Sequence, residues 1–155
     1  MEHILALDKF SKDMFHGFST PDLPLPKLKK LPSIVILNTG LSTTDGEHWC
    51  VACFRKDRTC DFFDPYGYSP SFYGFTKQLL KSCQKFIRFN EKPVQGFLSK
   101  TCGHHSIFFA LKYSRGYDPD EIMACYHPVN RRFNDNMVYA YLIQKSDHVI
   151  ASVAD

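Results

Sequence analysis

Three short apolar runs between Ser33 and Asp64 restrict this chain more than anything else in it: SIVILN (Ser33 to Asn38), HWCVACFRK (His48 to Lys56) and RTCDFFD (Arg58 to Asp64). Each has the length and the β-branched or aromatic content of a strand, and the last two meet at Lys56 to Arg58, where a tight hairpin fits. A hairpin closed there pairs residues whose numbers sum to about 114, so His48 falls within about two residues of the level of Asp64. An imidazole and a carboxylate are thereby expected at one end of one sheet.

The remaining segments supply helices around that sheet. A short amphipathic helix is expected over Ile4 to Phe15. PDLPLPKLKKLP (Pro21 to Pro32) reads as an extended surface segment, because proline fixes φ and removes backbone donors. TGLSTTDGE and PYGYSP read as loops, Phe72 to Gln84 as a helix and KFIRFN (Lys85 to Asn90) as a further strand. In VQGFLSKTCGHHSIFFALKY the apolar residues after Cys102 recur at three and four positions, a core-facing helix headed by the cysteine. A last amphipathic helix is expected over Asn134 to Lys145. The expected fold is α+β, a small central mixed β-sheet flanked by helices, in a single domain over residues 1–155.

Composition narrows the class. With 155 residues, 44% of them hydrophobic, the chain can bury a real core and has no need of disulfide staples, so its six cysteines are read mostly as thiols. No window reaches the roughly 18 consecutive apolar residues of a spanning helix, and the opening MEHILALDKFSKDMF lacks the pattern of a secretion signal, so a soluble, unsecreted chain with no membrane partner is expected. The formal charge of +3 is modest, with Lys27, Lys29, Lys30 and the pair Arg131, Arg132 as its local clusters; it permits a nucleic-acid contact and argues weakly for one.

Cys102 is the residue with chemistry to explain. At a helix N-terminus, unpaired N–H groups and the macrodipole favour an anion, so a thiol there is biased toward the nucleophilic thiolate. Gly103 beside it leaves room for a substrate backbone. Position alone leaves two readings open, a nucleophile or a small buried apolar residue. A nucleophile needs a base, an orienting group and oxyanion donors. His104 and His105 are poor bases, since the same helix terminus disfavours an imidazolium; they read as bystanders. His48, at the sheet end, is the better base, with Asp64 to accept its Nδ1–H. Gln95 can aim its amide at an oxyanion, with the Cys102 N–H as second donor.

A rival from another class is a zinc-binding interaction module built on His48, Cys50, Cys53 and Cys60. Against it, strand residues three apart face opposite sides of a sheet, and there is no second CxxC.

HW (His48, Trp49), FDPYG (Phe63 to Gly67), VQG (Val94 to Gly96) and TCG (Thr101 to Gly103), in this order, resemble the adenovirus maturation protease, adenain, a cysteine protease family related to the SUMO-deconjugating peptidases. DMFHGFSTP, ILNTG and RRFNDNMVYAYLIQ extend the resemblance over most of the chain. It implies Cys102 as nucleophile, His48 as general base, Asp64 as orienting carboxylate where adenovirus enzymes commonly carry Glu, and Gln95 as oxyanion donor. Trp49 is then expected at the cleft edge.

The implied activity is endopeptidase cleavage of viral capsid and core precursors after small residues, especially Gly, by a monomer in virion and host nucleus. No metal or organic cofactor is implied. The implied activators are a short viral peptide, captured as a disulfide by a cysteine upstream of VQG for which Cys83 is the candidate, and DNA. An isopeptidase removing ubiquitin-like modifiers, whose tails also end in Gly-Gly, fits the same residues.

Overall fold

The structure, a computed structural model, describes residues 2–154. Five strands, β1 (Phe15–Ser19), β2 (Ser33–Asn38), β3 (Trp49–Phe54), β4 (Cys60–Phe63) and β5 (Ile87–Phe89), form one sheet in chain order. The two inner pairings are antiparallel and the two outer ones parallel, so the sheet is mixed as expected. The β3–β4 pairs run from Val51–Phe63 to Phe54–Cys60, each summing to 114. The hairpin arithmetic therefore holds, and it sets Cys50 level with Asp64.

Alternation along β3 divides the core in two. Val51 and Cys53 face a cluster containing Ile107, Phe108 and Leu111 of α3 (Cys102–Ser114), with Leu5 of α1 (Glu2–Leu7), Ile122 of α4 (Pro119–Met123) and Val138 of α5 (Arg131–Ala154). Cys50, Ala52 and Phe54 face the other side, against Leu79 and Cys83 of α2 (Thr76–Cys83). Phe63 stacks on Phe109 with ring centroids 4.4 Å apart, fixing α3 across the sheet. Burying such a side chain contributes about 1.5–3 kcal/mol, so the helix carrying Cys102 is held by several of the largest core residues.

The structure corrects four expectations outside the hairpin. The first helix ends at Leu7, because the Asp8 carboxylate accepts the N–H groups of Phe10 and Ser11 and the Ser11 hydroxyl donates to the Leu5 carbonyl; that turn releases Phe15–Ser19 to pair with β2. The Pro-rich segment is more than surface, since Leu25, Leu28 and Leu31 pack on the second core cluster. The helix expected from Phe72 begins at Thr76, after a 3-10 turn over Pro70–Tyr73. α4 was not expected; it is a five-residue helix made by an Asp118/Glu121 capping box.

Candidate active site

The Asp64 carboxylate is fully buried and saturated with donors. Oδ1 accepts from the Tyr66 N–H at 3.0 Å and Oδ2 from the Tyr68 N–H and the Tyr73 hydroxyl, both at 2.9 Å. Its backbone is gripped from just beyond β5, where the Asn90 amide accepts from the Asp64 N–H and donates to its carbonyl. The turn behind it requires glycine. Gly67 has φ +77°, and a Cβ there would lie 2.9 Å from the Lys92 carbonyl carbon.

His48, just before β3, places Nε2 2.5 Å from Asp64 Oδ1. This corrects the expected contact through Nδ1: the ring is turned so that Nε2 meets the carboxylate, while the same imidazole also interacts with the Cys102 sulfur. Tyr66 stacks on the imidazole at 4.6 Å. Burial pulls the His48 pKa down, but the bonds to Asp64 and to the Cys102 sulfur outweigh it and raise it to about 9. Burial also pushes the Cys102 thiol up, and the opposing bonds from His48 and from the Trp49 and Gly103 N–H groups bring it below its ordinary value. The two shifts describe one thiolate–imidazolium pair. It stands at the first residue of α3, where the leading N–H groups lack intrahelical acceptors.

Two neighbours of that pair contribute through their backbones. Trp49 supplies an N–H to Cys102 while its ring packs edge-on against Phe18, 5.8 Å away and half-buried. Gly103 is buried, and it contributes an N–H toward the sulfur.

Gln95 is buried close by but is not idle. Its Nε2 donates to the Ser99 carbonyl at 2.8 Å and to the Tyr66 hydroxyl at 3.3 Å, while Oε1 has no partner. Both amide hydrogens are therefore engaged, one of them weakly, with a residue of the site itself.

The residues read as bystanders divide. His104 lies beside Tyr139 of α5. His105 is fully buried, and its Nε2 lies 2.8 Å from Asp135. Cys83 is 2% exposed at the end of α2, its thiol directed at the Phe86 carbonyl.

Among the described residues, the one group of possible metal ligands overlaps this arrangement. Cys50 and Cys53 lie in the two separate core clusters, so the zinc knuckle is not assembled. His48, Cys50 and Asp64 do bring one ligand atom each within 4.8 Å. However, Nε2 and Oδ1 stand at hydrogen-bond distance, closer than the about 3.3 Å that separates two ligands of a tetrahedral zinc ion.

Residue-by-residue reading gave no place beside Asp64 to Tyr66, Tyr73, Cys50 or Asn90. Cys50 was within reach of it: the hairpin sum that placed His48 also pairs residue 50 with residue 64, and the Cys50 thiol indeed lies 3.7 Å from Asp64 Oδ1. Tyr66 lies within the FDPYG run itself, whereas Tyr73, at the end of the 3-10 turn, and Asn90, just after β5, are tied to Asp64 by no local pattern.

Among solved structures, the chain is similar to the ASFV protease at 20% identity and a TM-score of 0.44, covering 70% of this chain and 46% of that one. It is also similar to the central domain of an uncharacterised Legionella pneumophila protein, at 18% identity and a TM-score of 0.41, covering 79% of this chain and 71% of that one. The chain thus spans less than half of the ASFV protease. No curated protein matches it significantly. The profile of the adenovirus endoprotease family matches residues 15–124, which hold His48, Asp64, Gln95 and Cys102. With well over half of its length matched, this chain belongs to the adenovirus endoprotease family of cysteine proteases.

Proposed function

We propose that the chain is a viral maturation endopeptidase that cleaves precursor polypeptides at Gly-containing sites, with Cys102, His48, Asp64 and Gln95 as its catalytic set. The observation that carries this reading is the convergence of the buried Asp64 carboxylate and the Cys102 sulfur on the one imidazole of His48. A buried carboxylate held by so many donors cannot move, so it fixes the ring and stabilises the imidazolium.

Cys102 thiolate attacks the scissile carbonyl carbon, forming the C–S bond as the carbonyl π pair moves to oxygen. The oxyanion takes the Cys102 N–H and one Gln95 Nε2–H, which exchanges its 3.3 Å contact with the Tyr66 hydroxyl for the stronger acceptor. As the oxyanion collapses, the C–N bond breaks and His48 gives its proton to the leaving amine. His48 then deprotonates water, which attacks the thioester; the thiolate leaves and the ion pair is restored.

An activating peptide and DNA remain part of the proposal. The buried position of Cys83 means that disulfide capture requires the end of α2 to open first. The test is a set of Gly-containing precursor peptides and a ubiquitin-like modifier conjugate, assayed with and without DNA and candidate activating peptides. Cys102-dependent cleavage of the precursors is expected. Turnover of the modifier conjugate alone would assign the chain to isopeptidases, and no turnover of either would refute the reading.

A further inference from the structure

The α5 helix reaches the site through two consecutive residues. Asn134 is fully buried; its Nδ2 donates to the Val94 carbonyl and to the His127 carbonyl, both at 3.0 Å, and its Oδ1 accepts from the His127 N–H at 2.7 Å. Asp135 accepts from the Gly96 N–H, 3.3 Å from both carboxylate oxygens. The backbone is thus held on both sides of Gln95. The same Asp135 Oδ1 accepts from the Thr101 hydroxyl at 2.9 Å and from His105 Nε2 at 2.8 Å. One carboxylate therefore bonds the residue after Gln95 and the residue before Cys102.

Two further details suit a fixed clamp. A Cβ at Gly96 would stand 2.8 Å from Asp135 Oδ2, so a side chain there would push the carboxylate off its present position. Burial holds the His105 pKa below its ordinary value, so the ring is neutral near pH 7. With the Tyr126 hydroxyl 3.4 Å from Nδ1, the consistent tautomer carries its hydrogen on Nε2 and donates it to Asp135. Pro65, next to Asp64, closes the third side by accepting from the Val94 and Gln95 N–H groups at 2.9 and 3.2 Å.

We propose that Asn134 and Asp135 are positioning residues that set the oxyanion-donor segment around Gln95 against the nucleophile Cys102, with His105 and Thr101 as the fixed partners of Asp135. The inference rests on the assignment of Gln95 and Cys102 given above. Its physical basis is that an oxyanion donor works only where the oxygen develops, and a displacement of about 1 Å can cost about 100-fold in rate.

The experiment compares wild-type protein with Asp135→Asn, His105→Gln and the milder Thr101→Val. For each it measures kcat and KM on a cleaved peptide, the affinity of a peptide aldehyde, and the rate of Cys102 alkylation by iodoacetamide. The aldehyde forms a C–S bond with Cys102 and moves its carbonyl π pair onto oxygen, so it reports the oxyanion site. Alkylation reports only the thiolate.

For Asp135→Asn, kcat is expected to fall about 10- to 100-fold, with aldehyde affinity weakened in parallel. KM and the alkylation rate stay within about threefold of wild type. His105→Gln and Thr101→Val shift the same two quantities by less, and they decide the matter if Asp135→Asn does not fold. Unchanged kcat in the variants, or kcat and alkylation falling together, would overturn the clamp. Wild-type protein without Cys102-dependent turnover would instead overturn the catalytic assignment beneath it.

Discussion

His48 Nε2 and Asp64 Oδ1 are 2.5 Å apart, and the carboxylate has no exposure to solvent. That oxygen also lies 3.0 Å from the Tyr66 N–H and 3.7 Å from the Cys50 sulfur, while the other oxygen takes the Tyr68 N–H and the Tyr73 hydroxyl. Burial and the neighbouring Asp64 charge push the Cys50 thiol well up, so it stays protonated and serves as a donor to the carboxylate. Asp64 is thus held in place from several sides, and His48 is anchored on it.

Asp64→Asn keeps the size of the side chain but lets an amide N–H face His48 Nε2. The favoured tautomer is then the wrong one for accepting the Cys102 proton, and kcat is expected to fall about 100- to 10,000-fold. Steady-state kinetics beside a thermal melt checks it. A folded variant with near-normal kcat would remove Asp64 from the mechanism.

The pH profile follows from the paired shifts. The thiolate–imidazolium pair exists above the lowered pKa of Cys102 and below that of His48, raised to about 9. Activity is therefore expected to be bell-shaped, with its alkaline limb near pH 9. The sign for stability is opposite in the two groups. The His48 contribution is fully present below its ordinary 6.5 and is lost as pH rises through about 9. The Cys102 contribution is fully present above its ordinary 9.0 and is lost as pH falls through the lowered value. Alkylation rates of Cys102 against pH, in wild type and His48→Ala, read the acid limb; loss of the pair should return the titration toward the ordinary 9.0.

The hairpin was legible because register is arithmetic. Once two strands and their turn are recognised, every pair from Val51–Phe63 to Phe54–Cys60 follows, and with it the approach of His48 to Asp64. Cys102 was legible because a helix start can be read locally. β1 was not: FHGFS carries Gly17 at φ +102° and a register shift between Phe15 and Phe18, and its pairing partner β2 is set by parallel, non-local contacts. The ring nitrogen facing Asp64 was hidden too, since it depends on a side-chain rotation. The contact of His105 with Asp135 was out of reach for a related reason, because the two lie 30 positions apart on different helices.

Thiol exposure gives a third prediction. Cys50, Cys53, Cys60 and Cys83 are buried, Cys102 is half-buried and Cys125 is exposed. Mass spectrometry after brief treatment with a small thiol reagent should find Cys102 and Cys125 modified and the other four protected until denaturant is added. Fast native labelling of Cys83 would show that the end of α2 opens readily, which would favour peptide capture there.

Gly67→Ala tests the turn that presents Asp64. Its φ of +77° and the 2.9 Å approach to the Lys92 backbone oppose any side chain. The variant should lose about 1–3 kcal/mol of stability from the backbone conformation alone, seen as a lowered Tm. Since Asp64 and the following Tyr66 share that turn, activity should fall before the protein unfolds.

The central claim is that Cys102 is a nucleophile activated by His48, and labelling with a peptide chloromethyl ketone under reducing conditions, mapped by mass spectrometry, tests it most directly. The account predicts one adduct at Cys102 in wild-type protein, formed in step with loss of activity and slowed strongly in His48→Ala. An adduct only at the exposed Cys125, or labelling of Cys102 at the same rate without His48, would contradict it.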